Sequence, residues 1–112
     1  MSVAEFPEMI TRLPDIDLKA PGVKGKLMQA GQQQVVFFEI EPTGVIAPHS
    51  HGAQWGIVVD GEIELTIGGQ ARIYTRGDSY YIPAGVEHSA KLKTKVKVID
   101  VFDEPARYKP KA

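Results

Sequence analysis

From Val23 onward the chain breaks into short β-prone segments separated by turn residues, and that rhythm limits its fold more than any other feature. Residues 34–40 are β-branched and aromatic and stop at Pro42-Thr43-Gly44. Residues 55–59 run into Asp60-Gly61, a dipeptide suited to the positive φ angles of a tight hairpin. Residues 62–67 then alternate polar and apolar, so one face turns inward and Glu62 and Glu64 stay wet. Gly68-Gly69 predicts a hairpin into residues 71–75, and Arg76-Gly77-Asp78 predicts a further turn. Residues 79–82, 87–92 and 95–102 complete the series. Many short strands at near-regular spacing predict an all-β sandwich or barrel. Before them, residues 1–20 read as a leader in which residues 6–13 can form a helical turn or two ahead of Pro14. The expected organisation is this leader followed by one β domain over 21–112.

A length of 112 residues suits one domain, and 43% hydrophobic residues supply a core and argue against disorder. The formal net charge of −1 carries no signature of nucleic-acid binding. No apolar run reaches the ~18 residues of a membrane span, and residues 1–6 lack the basic and apolar blocks of a signal peptide. A cytoplasmic location is therefore expected. Cysteine is absent, which excludes disulfides and thiolate chemistry and leaves only nitrogen and oxygen ligands for a metal.

His49, His51 and His88 are the only histidines. Two residues apart on a strand, His49 and His51 point the same way. His88 shares strand parity with Ala90 and Leu92, which puts it inside. A buried neutral imidazole needs a partner, and imidazoles converging from two strands suit a divalent transition metal. The plainer alternative is three strand and core histidines. Asp100 shares parity with Val96, Val98 and Phe102, so it is a candidate base with a raised pKa, unless a bulge turns it to water. Tyr80 and Tyr81 are further pocket candidates, one of which must share the parity of Ile82; Tyr81 is taken with Asp100 as the catalytic expectation. Lys91, Lys93, Lys95 and Lys97 read as a solvated, aggregation-resisting edge.

Residues 44–92 resemble the two signature motifs of the cupin superfamily. The first runs from Gly44 through His49-Ser50-His51 and Gln54, then six residues, to Gly61. The second is Gly77, five residues, Pro83-Ala84-Gly85, two residues, His88. The resemblance implies a double-stranded β-helix, the cupin jelly-roll barrel, with a six-coordinate metal site inside and open positions for substrate or water. It implies His49, His51 and His88 as ligands and puts Gln54 where the family usually has Glu. The gap after His51 is one residue shorter than common, and Leu92 stands where Asn often ends the second motif. Gln54 offers only a neutral carbonyl oxygen, so it either ligates weakly or hydrogen-bonds in the pocket. Without a carboxylate ligand the metal binds less tightly and acts as a stronger Lewis acid, suited to an anionic substrate. An imidazole-rich set disfavours Mg²⁺ and Ca²⁺ and leaves Zn, Ni, Fe, Mn or Cu.

The resemblance implies a metal-dependent enzyme acting on a small oxygenated substrate, dioxygenase-like. The alternatives are a cupin isomerase or lyase, which needs a base near a substrate C–H, and a non-catalytic barrel for a sugar or other small molecule. If Gln54 faces inward, so do Gly56 and Val58, which leaves Trp55, Ile57 and Val59 as a second apolar face. Such a strand predicts a covering partner, and a homodimer with a contribution from the leader is expected.

Overall fold

Alternating side chains decide where each strand goes. In β2 (Gln33–Ile40), Gln34, Val36, Phe38 and Ile40 are buried on one face, and Val35, Phe37 and Glu39 occupy the other. The same alternation in the other strands closes two antiparallel sheets over one core. The structure is a computed structural model and describes residues 5–42 and 45–111. The remaining elements are α1 (Glu8–Thr11), β1 (Val23–Ala30), β3 (Val45–His49), β4 (Gln54–Asp60), β5 (Glu62–Ile67), β6 (Gln70–Thr75), β7 (Ser79–Ile82), β8 (His88–Leu92) and β9 (Val96–Phe102).

One sheet has the order β1-β2-β9-β4-β7 and the other β3-β8-β5-β6. Val36, Phe38, Val58, Ile82, Val98 and Phe102 from the first face Ile63, Leu65, Ala90 and Leu92 from the second. Full burial of each large apolar side chain stabilises the fold by roughly 1.5–3 kcal/mol. This is the expected jelly-roll barrel. The strands predicted from pattern are present, and Gly68-Gly69 forms the hairpin between β5 and β6. The turn at Pro42-Thr43-Gly44 and the start of the leader fall partly outside the described residues.

Asp60-Gly61 departs from expectation. It does not close a hairpin: β4 pairs with β7 and β9, whereas β5 pairs with β6 and β8. The dipeptide carries the chain from one sheet to the other, because Val58 and Ile63 must face the same core from opposite sides. Gly61 has φ +90°, and a Cβ there would overlap the carbonyl oxygen of Lys95. The lysine edge is also corrected. Lys91 and Lys93 are exposed around β8, but Lys97 lies on the central strand of the larger sheet and is buried. It stands between Glu39 of β2 and Asp60 of β4 in the cross-strand register, and its Nζ is 3.5 Å from Glu5.

The leader packs along its own chain. The Phe6 ring meets Phe37 edge-on at 5.7 Å, and Ile16 enters the core. Ile16 also bridges to Pro110, and Asp17 N–H donates to the Lys109 carbonyl at 2.8 Å. The C-terminal tail is fastened by Gln34, which is 1% exposed. Its amide donates to the Tyr108 carbonyl at 2.8 Å, and its carbonyl accepts from Tyr108 N–H at 3.0 Å. Leader and tail thus pair with each other through backbone hydrogen bonds.

Gly61→Ala tests the sheet-to-sheet crossing. It forces both an unfavourable backbone angle and an overlap with backbone atoms. The expected loss is about 2 kcal/mol or more in urea unfolding, with native-like circular dichroism retained below the transition. A change under ~0.5 kcal/mol would contradict the close approach.

Candidate metal centre and cavity

His49 ends β3, directly opposite His88, which begins β8. A register irregularity between Ile46 and His49 re-aims the strand end. His51 is not on the strand; it lies in the connection to β4, so convergence does not arise from two-residue periodicity alone. The turn of the second motif holds it: Gly85 N–H donates to the His51 carbonyl at 2.9 Å. Glu104 secures the next residue by accepting from Gly52 N–H at 2.9 Å. Gln54 opens β4 and lines the same cavity.

The ring centroids are 5.2 Å apart for His49 and His51, 4.2 Å for His49 and His88, and 4.8 Å for His51 and His88. The three imidazoles bring one ligating atom each within 4.8 Å of one another. Each Nδ1 is paired with a nearby carbonyl: Ala47 at 2.8 Å for His49, Gly52 at 2.8 Å for His51, and Val86 at 3.0 Å for His88. An Nδ1–H donated to a carbonyl leaves Nε2 as a neutral lone pair. Nε2 of His51 and His88 and Oε1 of Gln54 are buried with no hydrogen-bond partner. Buried polar atoms without partners are costly and rare, and these point to a missing common one. Three imidazole nitrogens and an amide oxygen fit a divalent transition metal. Burial lowers the pKa of His51 and of His88, with the Arg107 charge adding to both shifts, so both rings stay neutral to lower pH.

Asp100 lines the same cavity at 3% exposure, as strand parity predicts. Its carboxylate accepts from the Tyr80 hydroxyl at 2.7 Å and from the Gln54 side chain. Burial raises its pKa to about 6, against the lowering effect of those two hydrogen bonds. Burial and the neighbouring carboxylate push the Tyr80 hydroxyl well above its ordinary range, so it stays protonated. Tyr81 does not reach the cavity. It lies on the outer face of β7 at 59% exposure, because alternation sends Tyr80, together with Ile82, inward. Of these two neighbours, Tyr80 is the one that lines the cavity.

Pattern reading also missed Arg107, on the irregular tail that Gln34 fastens. Its guanidinium sits 4.7 Å from the Tyr108 ring centroid, and its Nε is buried without a hydrogen-bond partner. Both residues line the cavity of about 520 Å³, along with His49, His51, His88, Gln54 and Asp100. That volume suits a small organic molecule.

Fold and site define the class: a small jelly-roll barrel enclosing a histidine-lined cavity. A cupin domain model matches residues 36–102, and the chain belongs to that family. It is 34% identical over 82 residues to the H2HPP isomerase of Bacillus subtilis, covering 71% of this chain and 35% of that protein. The chain thus spans about a third of that relative's length. A solved RmlC-like cupin from Shewanella frigidimarina superposes with a TM-score of 0.79 at 27% identity, covering 96% of both chains. The solved KdgF from Halomonas sp. gives 0.72 at 30% identity, covering 83% of this chain and 87% of that one.

Elemental analysis of untagged protein reads the site directly. About one equivalent of Zn, Ni, Fe, Mn or Cu is expected in the parent, and none in a His49→Ala/His51→Ala variant. Equal metal in both would remove these imidazoles as ligands.

Proposed function

We propose that this cupin is a metal-dependent enzyme that moves protons on a small anionic, oxygenated substrate, as an isomerase or lyase does. The observation that carries the reading is the Asp100–Tyr80 pair, hydrogen-bonded at 2.7 Å and facing the cavity that the three imidazoles share. A dication held by His49, His51 and His88, with Gln54, would supply Lewis acidity towards a substrate oxygen. Asp100 takes a proton from a substrate carbon or hydroxyl and returns it at a neighbouring atom. A carboxyl poised at about 6 is well matched to that work near neutral pH. Tyr80 keeps the carboxylate oriented. Arg107 supports the anionic class, since a buried guanidinium N–H without a partner suits a carboxylate. The Bacillus subtilis relative is itself named an isomerase, which agrees with this reading.

The test is solvent-deuterium exchange by metal-loaded protein with a panel of small hydroxy and oxo acids, followed by NMR. Asp100→Asn is expected to lower exchange by at least about 100-fold with substrate binding retained. Arg107→Ala is expected to raise KM by about tenfold or more with a smaller change in kcat. Oxygen consumption without exchange would favour the dioxygenase-like reading instead, and binding without either reaction would favour a non-catalytic barrel.

The outer face of the larger sheet supports a homodimer. Trp55 is 41% exposed there, beside half-buried Ile57, Val59, Ile99 and Val101. An apolar surface of this kind marks an interaction site. Trp55→Asp is expected to give a folded monomer in sedimentation; an unchanged dimer would place the interface elsewhere.

A further inference from the structure

Gln54 occupies the position where the cupin motif usually supplies an anionic ligand, and a carboxylate stands immediately behind it. In the strand register Gly56 lies opposite Asp100 on β9 and opposite Tyr80 on β7, while Gln54 lies opposite Phe102. Asp100 is therefore the diagonal neighbour of Gln54, within reach of a long side chain. Gly56 leaves the row open. A Cβ at that position would overlap Asp100 Oδ1 and the Tyr80 ring atoms Cζ and Cε1. Through that gap Tyr80 donates to Asp100 at 2.7 Å, and the side chain of Gln54 donates to the same carboxylate. An amide that turns its N–H₂ to Asp100 presents Oε1 away from the carboxylate, and Gln54 Oε1 is among the buried atoms that have no partner.

We propose that Asp100 is a positioning residue for the metal centre: it supplies, one hydrogen bond further out, the negative charge that a ligating carboxylate would place at position 54. Two physical effects follow. The carboxylate fixes which end of the amide faces the imidazoles. It also draws on the N–H bonds of the amide, which enriches the carbonyl oxygen and makes it a better donor to a cation. Tyr80 holds Asp100 in place, and Gly56 provides the room. The inference rests on the metal-holding reading of the imidazoles and is independent of any role for Asp100 in turnover.

The test is titration of metal-free protein with Co²⁺ alone, followed by visible absorption and by competition with a chelator. The variants are Asp100→Asn, Tyr80→Phe, Gln54→Glu and the double Gln54→Glu/Asp100→Asn. Asp100→Asn is expected to weaken binding by about tenfold or more, and Tyr80→Phe by a few-fold. Gln54→Glu alone puts two carboxylates in contact and is expected to raise affinity little or not at all. The double variant moves the charge to position 54, where the amide introduced at position 100 can donate to it, and is expected to bind at least as tightly as the parent. A purely structural role for Asp100 predicts instead that Gln54→Glu tightens binding by itself, with Asp100 still in place, and that result would also overturn the proposal. Parent-like affinity in Asp100→Asn, or a double variant no tighter than Asp100→Asn, overturns the proposal while leaving the imidazole site standing. Failure of the parent itself to bind Co²⁺ overturns both.

Discussion

A polar group inside an apolar barrel must find a partner or cost several kcal/mol, and that constraint organises this molecule. Asp100 meets it with Tyr80 and Gln54, which the missing side chain at Gly56 makes possible. The imidazoles meet it at Nδ1, each with a carbonyl within two residues along the chain. Gln34 meets it at both ends of its amide, with Gln29 and Tyr108. Once these are satisfied, the unpaired atoms left over on His51, His88 and Gln54 belong to one cluster in one cavity. Among the described residues the polar deficit, Arg107 Nε included, gathers around this one cavity.

The same accounting links fold to site. The imidazoles come from the end of β3, the following connection and the start of β8. Gln54, Asp100 and Tyr80 come from three adjacent strands of the larger sheet. Arg107 comes from the tail, held by a buried glutamine on β2. These segments converge on one cavity. His49, Gln54, Tyr80, His88 and Asp100 stand on strands, and backbone and side-chain hydrogen bonds fasten the segments that carry His51 and Arg107, which suits precise placement of reacting groups.

Much of this was legible along the chain because strand parity is a local property. Parity put His88 with Ala90 and Leu92, and Asp100 with Val98 and Phe102, and all of these are buried. The motif spacing pointed to the three imidazoles that the barrel brings together. Other features were not legible. Asp60-Gly61 announces a sharp change of direction, but whether the next strand pairs with the last depends on the sheet to which each is bound. Lys97 carries no local sign that it sits on a central strand with charged neighbours across the register. Parity with Ile82 marks Tyr80 rather than Tyr81 as the inward tyrosine, but that it meets Asp100 across Gly56 depends on how β4 pairs with β7 and β9. Arg107 lies on a tail without periodicity, placed by a glutamine more than seventy residues away in sequence.

By itself, then, the sequence determined the β architecture, the inward face of each well-patterned strand and the residue types available for a metal. These follow from side-chain alternation, turn chemistry and composition, which act over a few neighbouring residues. The tertiary structure alone decided the order of strands in the two sheets, the hydrogen-bonded row from Tyr80 to Gln54 and the cation placed over the cavity. Those depend on which distant segments share a dry interior, where every polar group must be matched by another that the local chain does not supply.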